Sequence, residues 1–241
     1  GSAAGSGGSS GAAAGSGGAA GSGGAPGMHE DLGKGTGQDV VLLGDSYMDN
    51  TLQFEGTGGG IAASLLRLSG QRYRNYAVQG TMLLMDNTYG RAIPTQWDQA
   101  KRANADIETV VMTGGGNDII QSEAMKASCK EGGSECKQLL LKETMRYDEL
   151  WTQMAESGVK DIIRVAYATD TGTVDPKLLS DPEVTAPPPI CTTGKVRCHN
   201  LMTNDLIMKQ LAADNIHPLQ AANDRVAKAL IDLMEKEGIR R

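Results

Sequence analysis

Residues 39–46 read Asp-Val-Val-Leu-Leu-Gly-Asp-Ser (DVVLLGDS), and the way that stretch ends decides the architecture. Four consecutive apolar residues, Val40–Leu43, stop at Gly44, which is the signature of a short strand closed by a tight turn. Working outward, three further runs have the same character: Arg72–Val78 (RYRNYAV), Thr109–Thr113 (TVVMT) and Asp161–Tyr167 (DIIRVAY), with a weaker fifth at Val196–Met202. Helical periodicity fills the intervals. Ile61–Leu68 is one such segment, and Gln138–Ser157 carries Leu139, Leu140, Thr144, Tyr147, Leu150, Trp151 and Met154 at helical spacing. The last is Pro218–Lys236, with Ala222, Val226, Ala229, Leu230 and Leu233 on one face and Gly238 as a C-terminal stop. Strands spaced by about 30–50 residues leave room for helical crossovers, so the class is α/β, a three-layer α/β/α sandwich around a parallel sheet of about five strands. The Pro-rich Ala186–Ile190 (APPPI) reads as a rigid loop in an insertion before the fifth strand. No internal repeat is visible.

Not all of the 241 residues can build that core. Residues 1–27 contain only Gly, Ala, Ser and one Pro, so nothing there offsets the entropy of ordering. The segment reads as a disordered linker with an r.m.s. span of roughly 30 Å, and residues 28–241 as one domain. The net charge of −6 lies outside the linker, and no Lys/Arg run clusters. That balance argues against nucleic acid or an anionic membrane surface as the main partner. No stretch approaches a membrane span and no signal peptide is present, as in a processed or trimmed chain.

The residues directly after each strand carry the chemistry. The first strand runs into Gly44-Asp45-Ser46, the second into Gln79-Gly80, and the third into Gly114-Gly115-Gly116-Asn117-Asp118. In a parallel sheet these ends share one edge, where ligands bind. A hydroxyl, a glycine N–H and a carboxamide should therefore converge, a nucleophile with two donors for an oxyanion. The fourth element is Asp214-Asn215-Ile216-His217-Pro218. Pro218 biases His217 toward extended backbone and starts the last helix. Asp214, three residues back, is placed to orient the imidazole Nδ1 and leave Nε2 for Ser46, in the chain order Ser…Asp…His.

The segments LLGDSYMDN, NYAVQG, GGGND and DNIHP resemble, in order, the four blocks of the SGNH (GDSL-type) hydrolases, over nearly the whole domain. The resemblance implies a flavodoxin-like sandwich and hydrolysis of carboxylic esters with neither metal nor cofactor. Carried over by position, Ser46 is the nucleophile, Ser46, Gly80 and Asn117 form the oxyanion hole, and Asp214 and His217 complete the catalytic set. The G-x-S-x-G elbow of the larger α/β-hydrolases is absent around Ser46. Asn215 stands where many relatives have Gly, a position Asn tolerates in left-handed backbone. A paucity of aromatic residues (4%) and the lack of an evident amphipathic lid favour small-molecule or carbohydrate-borne acyl esters over lipid esters. The alternative is an inert, surface-tethered glycan- or peptide-binding module on the same fold. Oligomeric state is not legible.

Each residue also has a plainer reading. Ser46 can be weighed as a turn residue, Asn117 as a helix cap and Asp214 as a solvated acid. Asp45 reads as structural. Gly56 and Gly58–Gly60 lack the Lys-Ser/Thr of a phosphate loop and read as a loop before a helix. His29 and His199 read as incidental, and the eleven Met residues as packing. Cys129 and Cys136 are seven positions apart, as are Cys191 and Cys198. Three connectivities are open, with free thiols as a further option, and local closure is the economical choice. Each loop then contributes about 2.5 kcal/mol on a chain-entropy account. C-x₆-C does not supply zinc spacing. Disulfides imply an oxidising compartment. The expected location is therefore secreted, periplasmic or cell-surface, with the linker as a tether to a surface or membrane through a lipid-anchored N-terminus.

Overall fold

The computed structural model describes residues 37–49, 55–86, 92–167, 172–207 and 210–239. The linker expected at residues 1–27, and His29 beyond it, lie outside the described residues. Strands β1 (Gly37–Leu43), β2 (Tyr73–Asn75), β3 (Thr109–Met112), β4 (Asp161–Val165) and β5 (Arg197–Leu201) form one sheet in the order β2-β1-β3-β4-β5. Every neighbouring pair is parallel. All five expected strands are present; β1 begins two residues earlier than expected, at Gly37, and the C-terminal ends are trimmed. The second is cut to three residues, although the N–H groups of Tyr76 and Val78 still donate to Leu42 and Gly44.

Around the sheet run α1 (Gly60–Ser69), α2 (Ile93–Ala103), α3 (Gly116–Ile120), α4 (Glu123–Glu131) and α5 (Ser134–Glu156). Beyond β4 come α6 (Pro176–Leu179), α7 (Pro182–Thr185), α8 (Asn204–Ile207) and α9 (Gln220–Lys236). Strand alternation divides the core in two. Val40 and Leu42 join Val111, Ile163 and Val165 against α1 and α9, whereas Val41 and Leu43 join Val110, Met112 and Ile162 against α2 and α5. The result is a three-layer α/β/α sandwich of flavodoxin-like topology. Helix α5 anchors its face through buried Tyr147, Leu150, Trp151 and Met154, each worth roughly 1.5–3 kcal/mol of burial.

Three expectations about helices need correction. The buried stripe of α9 is Ala222, Val226, Ala227, Leu230 and Met234, with Ala229 and Leu233 only half-buried at its edge. Pro218 does not begin that helix, which starts at Gln220 with Leu219 as N-cap, because Pro218 instead bridges to Leu211. The stretch before β5 is not a bare loop. It folds into the single turns α6 and α7 and a 3₁₀ turn at Pro189–Thr192. Asp175 and Asp181 each precede a proline, and each carboxylate accepts a backbone N–H of the turn it starts, so Asp-Pro caps both.

Cys129 is bonded to Cys136, joining the end of α4 to the start of α5, and Cys191 to Cys198, joining the 3₁₀ turn to β5. The EGGSE segment is a tight helix–helix joint, with Gly132 left-handed at φ 70°. Among the described residues no helix is long and apolar enough to cross a membrane.

Candidate active site

The order of strands reverses at β1, which has β2 on one side and β3 on the other. In an open parallel sheet the crevice at such a point, beyond the strand C-termini, is where ligands bind. Gly44 ends β1 at φ 138°, and a Cβ there would lie 2.1 Å from Thr113 Oγ1. Only glycine lets the chain pass so close to β3. The chain then makes one helical turn, with Met48 and Asp49 N–H donating to the Asp45 carbonyl, and Ser46 stands at its start. From α2, Gln96 brackets the joint: its Oε1 accepts Gly44 N–H at 2.7 Å and its Nε2 donates to Gly44 O at 2.8 Å. Gln96 Nε2 also reaches Thr81 Oγ1 at 3.2 Å, tying the loops after β1 and β2 together.

Asp45 is 1% exposed and acts as the knot of this edge. Its carboxylate accepts Tyr47 N–H at 3.1 Å, the Thr113 hydroxyl at 3.0 Å and the Tyr167 hydroxyl in a short bond. Burial pushes its pKa up, against the lowering effect of those bonds. The structural reading of Asp45 therefore has a concrete basis: it fixes the turn that carries Ser46.

Asn117 does not cap α3, whose N-cap is Gly115. It sits within the first turn, and its Nδ2 donates to Thr81 O at 2.9 Å, next to Gly80. Gly80 is left-handed at φ 75°, and its carbonyl accepts Gln121 Nε2 at 2.8 Å. Asp118 closes the same corner by accepting Leu83 and Leu84 N–H at 2.7 and 3.0 Å.

The fourth expected block forms a compact loop ahead of α9. Asp214 accepts N–H bonds from Ile216 at 2.9 Å and His217 at 3.0 Å, and its second oxygen is in a short contact with His217 Nδ1. Partial burial raises the Asp214 pKa, but the bonds from the His217 ring and from the two backbone N–H groups outweigh it and hold the carboxyl below its usual range. Although Asp214 is partly exposed, it is engaged with His217 and is not merely solvated. Asn215 is left-handed at φ 56°. This loop is tied to the Ser46 turn, because Tyr47 Oη donates to Ile216 O at 2.8 Å and the Tyr47 and His217 ring centroids are 6.4 Å apart.

Ser46 and Asn117 line one cavity of about 270 Å³, together with Asn215 and Ile216. Ser46, Asn117 and His217 are each buried to within 7–8% exposure. Gly80 and His217 stand beside the cavity and are not part of its lining. Gln96, Glu143, Arg164 and Tyr167 were not read from the sequence as part of this edge. Glu143 does lie three residues after Leu140 and four before Tyr147, on the apolar face of α5, which is the signal that was available. His199, read as incidental, has a structural partner: its Nε2 lies 3.0 Å from Asp161 Oδ1, beside the Arg197–Asp161 ion pair. Among the described residues no group of three or more His, Cys, Asp or Glu side chains gathers into a metal site.

No protein-family model matches the chain, and no curated protein is similar to it in sequence. Solved structures are similar in fold. A carbohydrate acetylesterase from Sinorhizobium meliloti aligns over 82% of this chain and 98% of its own, at 14% identity and a TM-score of 0.56. An aryl esterase from M. smegmatis in an inhibitor-bound form covers the same shares at 12% identity and 0.53. A family 3 carbohydrate esterase from Clostridium thermocellum aligns over 82% and 97% at 13% identity and 0.50. The fold is that of the SGNH hydrolases. On this fold the Gly-Asp-Ser, Gly80, Gly-Asn-Asp and Asp-x-x-His segments sit at one edge of the sheet, tied in two pairs through Asn117–Thr81 and Tyr47–Ile216.

Proposed function

We propose that this chain is a serine carboxylic ester hydrolase working through an acyl-enzyme on Ser46. The observation that carries the reading is the Asp214–His217 pair held beside the Ser46 turn by the Tyr47–Ile216 bond, next to Asn215 and Ile216, which line one cavity with Ser46 and Asn117. In this mechanism His217 Nε2 takes the Ser46 hydroxyl proton as Oγ bonds to the ester carbonyl carbon. The oxyanion is met by the N–H groups of Ser46 and Gly80 and by Asn117 Nδ2. The C–O bond to the alcohol then breaks, and the leaving alkoxide takes the proton from His217. Water, losing a proton to His217, attacks the acyl-enzyme and releases the acid and free Ser46. Removal of one oxyanion donor should cost about 3–4 kcal/mol of transition-state stabilisation.

Short acyl groups on aryl or carbohydrate alcohols are the favoured substrates, a preference supported by the names of the structural neighbours. The domain comprises residues 28–241 and residues 1–27 tether it. Two disulfides support an oxidising compartment outside the cytoplasm. A serine-directed fluorophosphonate and a chain-length series of p-nitrophenyl esters test the reading. Wild type should label at Ser46 and hydrolyse the short esters, and Ser46→Ala should do neither. A Ser46→Ala protein that kept more than about a tenth of wild-type kcat would require another nucleophile.

A further inference from the structure

Arg164 breaks the apolar run of β4, between buried Ile163 and Val165. It pairs in register with Met112 of β3 and Asn200 of β5, and its guanidinium lies 4.6 Å from the centroid of the Tyr147 ring on α5. One face of the cation is thus covered by an aromatic ring, which leaves its N–H edges for hydrogen bonds. Among the described residues no carboxylate lies within ion-pairing distance of it. Its place explains where those edges lead. Arg164 lines the cavity that holds Ser46, and it also lines a second cavity of about 320 Å³. Among the described residues no other Lys or Arg lines either one.

A second observation points the same way. Glu143 also lines the first cavity, is 6% exposed, and its Oε1 has no hydrogen-bond partner. The backbone is shaped around it, since a Cβ on Gly115 would lie 2.7 Å from Glu143 Oε2. Two half-made polar groups at one wall, a cation without an anion and a carboxyl oxygen without a partner, are costly unless something completes them.

We infer that Arg164, backed by Glu143, is a subsite for a carboxylate carried by the ester substrate, on its acyl or its alcohol part, so that anionic esters are preferred over neutral ones of the same shape. This rests on the esterase reading for its substrate but not for its binding chemistry. Burial raises the pKa of Glu143 well above the ordinary value, the neighbouring Asp118 adding to it and Arg164 opposing it. That shift favours the protonated carboxyl, whose O–H can donate a hydrogen bond to an incoming carboxylate. Asp45, the other acid on the lining, is already committed to Tyr167, Thr113 and Tyr47. Among the described lining residues the guanidinium is consequently the uncommitted charge, and a planar, forked donor suits a carboxylate.

Two ester pairs test this. Mono-4-nitrophenyl succinate against 4-nitrophenyl butyrate varies the acyl part, and 4-acetoxybenzoate against 4-methylphenyl acetate varies the alcohol part. In wild type, kcat/KM for the anionic member of at least one pair should exceed that of its neutral partner by about tenfold or more. Arg164→Met and Arg164→Gln should each abolish that ratio, and Arg164→Lys should retain part of it. A purely structural Arg164 would lower both members of a pair alike. The absence of an anionic preference in wild type, which needs no variant, overturns the inference, as does a preference that survives in folded Arg164→Met. Calorimetric titration with succinate and with benzoate separates the two readings. Arg164-dependent binding without hydrolysis of either neutral ester removes the esterase reading and keeps the anion subsite. Hydrolysis of the neutral esters with neither anion bound does the reverse.

Discussion

Asp214→Asn changes one charge and almost no volume. The carboxylate that accepts the His217 Nδ1 proton becomes an amide that can present its N–H side instead, so the imidazole loses its fixed tautomer. On the esterase reading kcat should fall by about 10²–10⁴-fold, with folding retained; a variant within twofold of wild type would assign the orientation of His217 to another group. Glu143→Gln tests the other carboxyl. Burial keeps a proton on Glu143 in the folded chain, whereas the unfolded chain releases it above about pH 4.5. Between that value and the raised folded one, the unfolded state binds fewer protons, so wild type loses stability as pH rises, by at most about 1.4 kcal/mol per unit. The glutamine variant does not titrate. Chemical denaturation from pH 4 to pH 8 should show its advantage growing with pH, and parallel profiles would refute the buried-acid account. The placing of Ser46, Asp214 and His217 near one sheet edge was legible because strand ends and an Asp-x-x-His-Pro run mark them without tertiary information. Glu143 and Arg164 were not, because a charged residue inside an apolar pattern is read as solvated until the packing around it is known.

At the level of elements, the tightest constraint is the close approach of Gly44 to Thr113, just beyond the ends of the paired strands β1 and β3. With a Cβ 2.1 Å from Thr113 Oγ1 and φ at 138°, Gly44→Ala must move backbone, and should cost roughly 3 kcal/mol or more. Gly70, which ends α1 in a left-handed conformation with nothing within 4 Å of its Cβ, is the control. Gly70→Ala should cost only about 1–2 kcal/mol. Equal costs in urea titrations would show that the close approach at Gly44 relaxes freely. The five strands and the helices α1, α5 and α9 were readable from periodicity. Helices α2, α3 and α4 were not assigned, and α6 and α7 are too short to show a period. What forms the last two is a cap and a proline, a local signal that an apolar count does not weigh.

For the whole molecule, the composition of residues 1–27 gives them no side chain able to contribute a core contact. Deletion of that segment should leave the melting temperature within about 1 °C and kcat/KM unchanged, and a drop of several degrees would mean that it packs on the domain. The other end of the chain has the opposite standing. His217 lies just ahead of α9, which is tied to α1 by the Arg67–Asp224 pair and to the turn before α1 by Asn223, which donates to Thr57 O. The expected nucleophile lies in the first turn after β1, whereas its expected base follows every strand of the sheet. On the esterase reading the serine is therefore without its partner until α9 has docked, and a fragment that stops before His217 has no means of gaining one. On that reading ester cleavage belongs to the sheet and α9 together, switched on by the docking of that helix and silent in every fragment that stops short of it.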